Sequence, residues 1–488
     1  MLDAGRFPQI YLPLIGVGIA ALWPLTAYAL SPLLLPGIFV LVATVVVIIG
    51  RPEYGLAGVA ALTPFVGLQI QHPAMDDVTL PTAPVRVLLP VIVIGVVLYG
   101  TLVKGQDRRQ LPGMFLGIAL LIGAAVLSAF QALDPTKSIP DIFLLLTGAA
   151  MFVGILNICQ TREQLLVVVA GALVGLLLTS IQGFVQQLTG VYSTLGFVVG
   201  GEFVNRVQGS FGHPNEYAGY LALLLPFAIA VVFTRQLPVR LRALAGVASG
   251  VALPALVFSY SRGALATLVI GSLVWLVVMR PKAAVAVAIV VGAAALLLTP
   301  GTLRERFSES GKGDVALRTD VADSALEIYA QHPLVGVGIG NFQLAYQDLS
   351  FAEEAGQRRL LHTKQVLVPT AAPSQYVNSL AEQGLLGVGA LGVFTLTALA
   401  TVRRVGRARG PAARGLGLGI GMSAASLFLY SLLEISLQED QVLPLFVLLG
   451  IAAVAESAFG QAAAPTNRHE GGATPAGLSP AGVGTRPT

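Results

Sequence analysis

Two neighbouring stretches of the chain decide the fold class. Residues 139–158 read IPDIFLLLTGAAMFVGILNI, and residues 164–186 read QLLVVVAGALVGLLLTSIQGFVQ. Each is roughly 20 residues long and almost free of charge, which is the length that an α-helix needs to cross the hydrocarbon core of a bilayer. The polar residues CQTRE lie between them. The pair therefore predicts two membrane-spanning helices joined by a short link.

The same composition extends over most of the 488 residues. Hydrophobic residues make up 55% of the chain and charged residues 11%, with a mean hydropathy of +0.79, whereas a soluble domain carries about 25% charged residues. So few charges cannot coat a soluble fold of this size. The composition excludes a soluble enzyme, a nucleic-acid-binding module and a disordered chain. We expect an all-α polytopic membrane protein.

Hydropathy windows of about 19 residues predict about 12–14 transmembrane helices. The predicted spans lie near residues 10–30, 33–50, 54–70, 85–103, 112–132, 139–158, 164–186, 215–234, 241–259, 262–280, 283–299, 375–402, 415–434 and 441–458. The first stretch ends in Ala27-Tyr28-Ala29, which resembles a signal-peptide cleavage site. Its length and the span that follows at once favour a retained helix over a removed leader.

The distribution of charge predicts the orientation of these spans. With the N-terminus in the cytoplasm, alternate links place most of the 29 Lys and Arg residues inside and most of the 25 Asp and Glu residues outside, as the positive-inside rule requires. Residues 1–460 then form one transmembrane domain with both termini cytoplasmic. Residues 461–488 lack apolar periodicity and are predicted to be a disordered cytoplasmic tail.

The segment 300–374 is the longest of the predicted outer segments and is rich in polar residues. Helical periodicity predicts short helices within it at Val321–Ala330 and at 351–366. The ionisable residues of the spans lie near their outer ends, whereas a proton-coupled carrier would keep a carboxylate or His near mid-span. The pattern favours an enzyme that works on a lipid headgroup at the outer face.

Residues 205–216, NRVQGSFGHPNE, form the first of four motifs. Its glycines permit a tight turn and its proline fits a helix start, so free backbone N–H groups beside Arg206 are predicted to cradle a phosphate. The alternative is an ordinary capped helix start with a solvated Arg206. His213 is interpreted either as a capping residue or as a catalyst.

The second motif is Tyr260-Ser261-Arg262-Gly263, a very short link between two helix ends. Arg262 is therefore held at the membrane boundary, where it either extends to lipid phosphate or binds a substrate pyrophosphate through its planar guanidinium group. The shortness of the link favours the second role.

The third motif combines Arg318-Thr319-Asp320, preceded by Arg304 and Arg306, with HPLVGVGIGNF at 332–342. A dinucleotide-binding interpretation of G-x-G-x-G needs a βαβ unit, which a loop between membrane helices does not offer. We expect a glycine-rich turn that brings the backbone close to the membrane surface.

The fourth motif, PSQYVNSLAEQGLLG at 373–387, opens a long span. Its polar residues fall on one helical stripe, which predicts that the stripe is hidden against other helices or a wet cavity. Gly384, Gly387 and Gly389 on the same helix are predicted to permit close helix contact. The stripe comprises Gln375, Asn378, Ser379 and Glu382.

In their order and spacing the four motifs resemble the O-antigen ligase and Wzy-type polysaccharide polymerase superfamily of bacterial inner membranes, over roughly residues 160–450. The resemblance implies a GT-C-like membrane enzyme with its active site at the periplasmic face. It also implies a metal-independent, inverting transfer of a glycan from undecaprenyl pyrophosphate to an acceptor hydroxyl, without a cofactor. The implied partners are the lipid-linked donor, a glycan or lipid acceptor and membrane lipids, and no nucleic acid.

The resemblance also assigns roles to individual residues. Arg262 and Arg318 would hold the pyrophosphate, and Arg206 would assist them. The residues that would shape the site are His213, Asn215, Ser374, Tyr376 and Glu382.

The chain departs from the family at one position. The fourth motif of the family opens with His-Asn, and that His is taken as the base that activates the acceptor, whereas this chain has Pro373-Ser374. Proline cannot act as a base. Candidate replacements are His362, His213, His332 and Glu382.

Three interpretations stay open at this point. The base has shifted to another residue, or the enzyme depends on arginine electrostatics alone, or the chain has lost transfer activity. Rival functions are a multi-span permease or flippase and a catalytically silent scaffold of envelope glycan assembly.

Overall fold

The structure is a computed structural model. It describes residues 51–65, 113–190, 196–199, 202–285, 287, 312–349, 369–437 and 441–460. The predicted spans at 10–30, 33–50 and 85–103 lie outside the described residues, as do nearly all of 283–299 and the predicted tail. His362 and the helix predicted at 351–366 also lie outside them.

The described residues are mainly helical. In chain order the helices are α1 (Pro52–Leu62), α2 (Met114–Ala129), α3 (Pro135–Ile158), α4 (Arg162–Thr189), α5 (Pro214–Phe233), α6 (Val239–Phe258), α7 (Arg262–Met279), α8 (Lys312–Gln331), α9 (Phe342–Asp348), α10 (Gln375–Gly406), α11 (Pro411–Tyr430) and α12 (Val442–Gly460). A 3-10 turn, Thr63–Phe65, follows α1. An antiparallel hairpin of β1 (Gly196–Val199) and β2 (Glu202–Asn205) precedes α5 and was not predicted.

Local sequence sets the ends of these helices. The Thr161 hydroxyl and the Gln164 side chain form a capping box at the start of α4, and Gly190 ends the helix with a φ of 69°. Asp134 accepts the Thr136 N–H to cap α3. Such caps satisfy the backbone groups that a helix leaves unpaired at its ends.

Eight helices within the described residues are long and apolar enough to cross a membrane. They are α3, α4, α5, α6, α7, α10, α11 and α12. Helix α2 is apolar but shorter, with 16 residues. The predicted all-α polytopic fold is confirmed. The predicted spans 215–234 and 241–259 correspond to Pro214–Phe233 and Val239–Phe258, whereas the described part of the span predicted at 54–70 is the 11-residue helix Pro52–Leu62 with the 3-10 turn that follows it.

The bundle is built around α12. This helix contacts α3, α4, α10 and α11, and 78% of its apolar window is buried, against 28% for α7. Helix α7 is therefore much less enclosed by the described helices than α12 is. Glycines bring some helices together: a Cβ on Gly271 of α7 would lie 2.6 Å from the Ser426 backbone of α11.

The two ends of the bundle differ in charge. One end carries exposed arginines on the links around α5–α6 and α10–α11, including Arg235, Arg240, Arg403 and Arg404. The other end carries the four motifs. This separation agrees with the predicted orientation, and the assignment of the motif-bearing end to the outer face stays a prediction.

Candidate functional site

Helix α10 is broken near its start. Gly384 has φ 63° and ψ −158°, which no α-helix contains. Carbonyl groups before the break have no helical N–H partner, and the glycine-rich loop supplies the donors instead. The Val337 N–H donates to the Ala381 carbonyl at 3.1 Å, and the Gly338 N–H donates to the Glu382 carbonyl at 2.9 Å. Beyond the break, the N–H groups of Leu385 and Leu386 donate to the carbonyls of Pro333 and Leu334.

The G-x-G-x-G string is needed for this docking. Gly336, Gly338 and Gly340 all have positive φ angles, of 69°, 99° and 77°, a region that residues with a Cβ rarely adopt. A Cβ on Gly336 would overlap the backbone of Glu382. The string therefore docks into the protein instead of lining the membrane surface, and Gly384 serves the break instead of a helix contact.

Asn341 ties the same loop to the link between α2 and α3. Its side-chain oxygen accepts the Asp134 N–H at 2.8 Å, and the Ser138 hydroxyl donates to the Ile339 carbonyl at 2.6 Å. The Ile339 N–H in turn donates to the Ser128 hydroxyl. The loop is thus held on two sides by transmembrane helices.

The polar stripe of α10 is hidden, as predicted. Its four residues, Gln375, Asn378, Ser379 and Glu382, are 2%, 2%, 3% and 2% exposed. The carboxylate of Glu382 accepts the Phe342 N–H and the Asn378 amide, each at 3.0 Å. These bonds position the start of α9, so the structure places Glu382 inside the protein instead of at an open surface.

Gln375 holds the link between α11 and α12. Its side-chain oxygen accepts the N–H groups of Ser436 at 3.1 Å and Leu437 at 2.8 Å, and its own N–H donates to the Ser431 carbonyl. This link carries Glu434. Gln375 of the α10 stripe thereby fixes the backbone of the link that positions the Glu434 carboxylate.

A hydrogen-bonded series of four side chains crosses the motif-bearing end. Arg206 donates to the Ser259 carbonyl at 2.8 Å and to the Asn215 side-chain oxygen at 2.7 Å. The Asn215 amide donates to Glu434 Oε1 at 2.8 Å. Arg318 Nη2 donates to the same Oε1 at 2.5 Å, and its Nη1 donates to the Leu433 carbonyl at 2.6 Å.

The turn after Arg206 is filled by Gln186 of α4, which is 3% exposed. Its side-chain oxygen accepts the N–H groups of Gln208 and Gly209 at 3.1 and 2.9 Å, and its amide donates to the Gly209 carbonyl. These backbone N–H groups are therefore occupied and do not form the predicted phosphate cradle. Arg206 itself is 8% exposed and lies behind Asn215.

His213 caps α5. Its Nδ1 accepts the Asn215 N–H at 3.1 Å. Burial, together with the positive charges of Arg206 and Arg318, lowers the pKa of the imidazole to about 4. The ring is therefore neutral near pH 7, and because Nδ1 is an acceptor its proton resides on Nε2. His213 thus presents a hydrogen-bond donor and not a base.

These residues surround a hollow of about 330 Å³. It is lined by His213, Asn215, Glu216, Arg318, Val321, Pro369, Thr370, Ala371, Ala372, Pro373, Glu434 and Ile435. The side chains of Arg318 and Glu434 are 46% and 26% exposed, so both are open to a ligand. Throughout the described ranges, no group of three or more His, Cys, Asp and Glu residues is arranged to hold a metal ion.

The start of α7 lies beside the same link. Arg262 is half-buried at the first residue of this helix, and a Cβ on the next residue, Gly263, would lie 3.2 Å from the Leu433 side chain. Leu433 is also the residue whose carbonyl holds Arg318. The preceding Tyr260 has a φ of 51°, and it is the one residue other than glycine with positive φ in the described chain.

The structure thus sorts the predicted site residues into groups. His213, Asn215 and Arg318 line the hollow. Ser374 caps α10 by accepting the Val377 N–H at 3.5 Å, and Tyr376 donates to the Phe428 carbonyl at 3.1 Å and packs against the core. Sequence reasoning missed Glu434 and Gln186 because neither lies in a motif, although the position of Glu434 at the outer end of a span was a signal.

Fold and site together define a class: a polytopic helical membrane protein with an arginine- and carboxylate-lined hollow at one end of its bundle. Residues 247–392 match the family model described as O-antigen ligase, which confirms the resemblance to the O-antigen ligase and Wzy superfamily. No curated protein matches the chain. The matched region runs from α6 into α10 and includes Arg262, Arg318 and the break at Gly384.

Proposed function

We propose that the protein is a membrane glycosyltransferase that transfers a glycan from undecaprenyl pyrophosphate to an acceptor hydroxyl, as a polysaccharide polymerase or ligase. The observation that carries the proposal is the exposed guanidinium group of Arg318 on the wall of the hollow. The reaction is inverting and uses no metal ion. The site faces the periplasm, and both termini are cytoplasmic.

The arrangement suits a diphosphate leaving group. Guanidinium groups bind phosphate oxygens through two parallel N–H bonds, and they stabilise the negative charge that develops as the glycosidic bond breaks. Arg318 supplies this charge at the hollow, and Arg262, half-buried at the start of α7 beside the same link, is proposed to assist it although it does not line the hollow. The neutral His213 adds an Nε2–H donor for a phosphate oxygen.

Other predicted residues position the lining of the hollow through hydrogen bonds. Arg206 orients Asn215 by holding its side-chain oxygen at 2.7 Å. Ser374 and Gln375 start α10 beside residues 369–373, which also line the hollow. A hollow of this size falls within the range of about 300–1,000 Å³ that small-molecule sites occupy.

One observation favours a second candidate, a catalytically silent scaffold. Pro373, at the position of the family histidine, lines the hollow and brings no base to it. A permease is less favoured because the ionisable residues of the described spans gather at the ends of the bundle and not at its middle.

Arg318→Ala tests the proposal in cells that lack the native protein and carry the intact glycan pathway. We expect loss of polymerised or ligated glycan on gels, with partial activity in Arg318→Lys because the charge remains without the planar group. Arg403→Ala, at the opposite end of the bundle, is the matched control. Wild-type glycan from Arg318→Ala would refute the proposal.

A further inference from the structure

We propose that Glu434 is the general base for the acceptor hydroxyl, and that the bound donor releases it by drawing Arg318 away. This inference rests on the proposed function. It replaces the missing histidine of the fourth motif with a carboxylate that comes from the link between α11 and α12, outside the matched family region.

The other candidates in the described chain are poorly placed to accept the proton. The Nδ1 lone pair of His213 is already occupied by the Asn215 N–H. Glu382 is 2% exposed, and both of its carboxylate oxygens accept hydrogen bonds. His332 is exposed at the end of α8 and does not line the hollow.

Glu434 has the geometry that a base needs. It lines the same hollow as Pro373. Both of its hydrogen bonds, from Asn215 and Arg318, end on Oε1, and within the residues that the structure describes Oε2 accepts none. The link that carries it is held by Gln375 through two backbone N–H groups. A fixed carboxylate with one open oxygen can accept a proton from a hydroxyl that approaches through the hollow.

Arg318 connects the base to the donor. In the structure its guanidinium group is ion-paired with Glu434, so the carboxylate is held by its counterion in the absence of donor. A diphosphate carries more charge than a carboxylate and offers several oxygens to the same planar group. Once Arg318 turns to the phosphate, Glu434 keeps only the neutral amide of Asn215 and is available to the acceptor hydroxyl. The base is thus activated only when the donor is in place.

The chemical step balances. The acceptor oxygen forms a bond to the anomeric carbon of the donor sugar on the face opposite the leaving group. The bond between that carbon and the phosphate oxygen breaks, and its electron pair stays on undecaprenyl pyrophosphate. The hydroxyl proton moves to Glu434 Oε2 and is afterwards released to water.

The test uses the full chain in lipid nanodiscs with a radiolabelled undecaprenyl pyrophosphate-linked glycan and its acceptor. It measures donor binding separately from the transfer rate at saturating donor. For Glu434→Gln we expect donor binding within threefold of wild type and a transfer rate about 100-fold lower, as general-base catalysis predicts. Glu434→Asp should keep part of the rate and the acid limb of the pH profile, which Glu434→Gln should lose.

Controls separate the base from a structural role. Glu456→Gln, an exposed acid at the opposite end, should transfer at the wild-type rate. If Glu434 merely positioned Arg318, Glu434→Gln would weaken donor binding and leave the saturated rate unchanged, which would overturn the proposal. A loss of rate confined to Glu216→Gln or His362→Ala would overturn it too.

Failure of the two proposals gives different results. Wild-type transfer together with a normal rate in Glu434→Gln overturns only the role of Glu434. If the wild-type chain binds no donor and transfers no glycan, both the proposed function and this inference are overturned.

Discussion

Asn215 and Glu434 lie 219 positions apart in the sequence and are joined by a hydrogen bond of 2.8 Å from amide Nδ2 to carboxylate Oε1. Because Asn215 Oδ1 accepts from Arg206, the amide has one orientation only. Its amide oxygen accepts from a guanidinium donor, and its amide nitrogen donates to a carboxylate acceptor. The buried Arg206 thus orients the Asn215 amide, and the amide in turn positions the Glu434 carboxylate at the hollow.

Asn215→Asp should disrupt this relation. The new carboxylate keeps its bond to Arg206 but places a second negative charge against Glu434, so we expect a loss of stability of about 1–3 kcal/mol. Thermal unfolding in detergent measures the effect. The double variant Asn215→Asp with Glu434→Gln restores a donor across the pair and should recover most of the loss, and strict additivity of the two changes would contradict the assigned orientation.

Gly336→Ala should destabilise the docked loop. A Cβ at this position overlaps the backbone of Glu382, and a φ of 69° costs a residue with a Cβ about 1–2 kcal/mol before any overlap. We expect reduced yield and a lower unfolding temperature. Gly389→Ala is the matched control because nothing lies within 4 Å of a Cβ there, and it should be neutral or slightly stabilising. Equal behaviour of the two variants would contradict the docking.

Gln186→Ala should loosen the turn that carries Arg206. The change leaves the partly buried N–H of Gln208 and the buried N–H of Gly209 without this acceptor, and an unpaired buried group costs about 1–3 kcal/mol. Unfolding measurements should show the loss, whereas Gln187→Ala, the exposed neighbour on the same helix, should be near neutral. A similar effect of both variants would mean that the turn does not depend on this side chain.

His213 gives the protein a defined pH dependence. Its pKa in the folded protein is about 4, below the usual 6.5, so the unfolded chain binds more protons between these values. Stability therefore falls as the pH is lowered from 6.5 towards 4, by about 2–3 kcal/mol in total, and this contribution is flat below the lower value.

His213→Asn keeps a side chain that caps helices well and removes the titration. Unfolding measured between pH 4 and 7 should show a shallower slope for this variant, whereas His332→Asn, at an exposed position, should keep the wild-type slope. An unchanged slope in His213→Asn would show that another group is responsible.

The apolar runs predicted the spans because an uncharged apolar run of about 20 residues has the length of a helix that crosses a bilayer. The polar stripe on α10 was predicted to be hidden for a similar reason, since Asn378 and Glu382 in a lipid-facing position would be costly. These features depend on local periodicity, which a sequence displays directly.

Tertiary pairing accounts for what could not be predicted. The sequence shows Gly384 but not the loop whose N–H groups satisfy the break, and that partner starts about 50 residues earlier. Gln186 and Glu434 are unremarkable in their own segments and gain their roles from contacts with the turn at Gln208–Gly209 and with Arg318. His362 and the helix predicted at 351–366 lie outside the described residues, so their predicted roles stay predictions.

The interruption of α10 at Gly384 divides this helix into two pieces with different attachments. The initial piece, 375–383, is bonded to Val337 and Gly338 of the loop, to the link at 431–437 and to Ala372, whereas the longer piece packs among the spans and is bonded to Pro333 and Leu334 of the same loop. The loop therefore holds both sides of the break at Gly384, and the angle between the two pieces of the helix depends on residues 333–338.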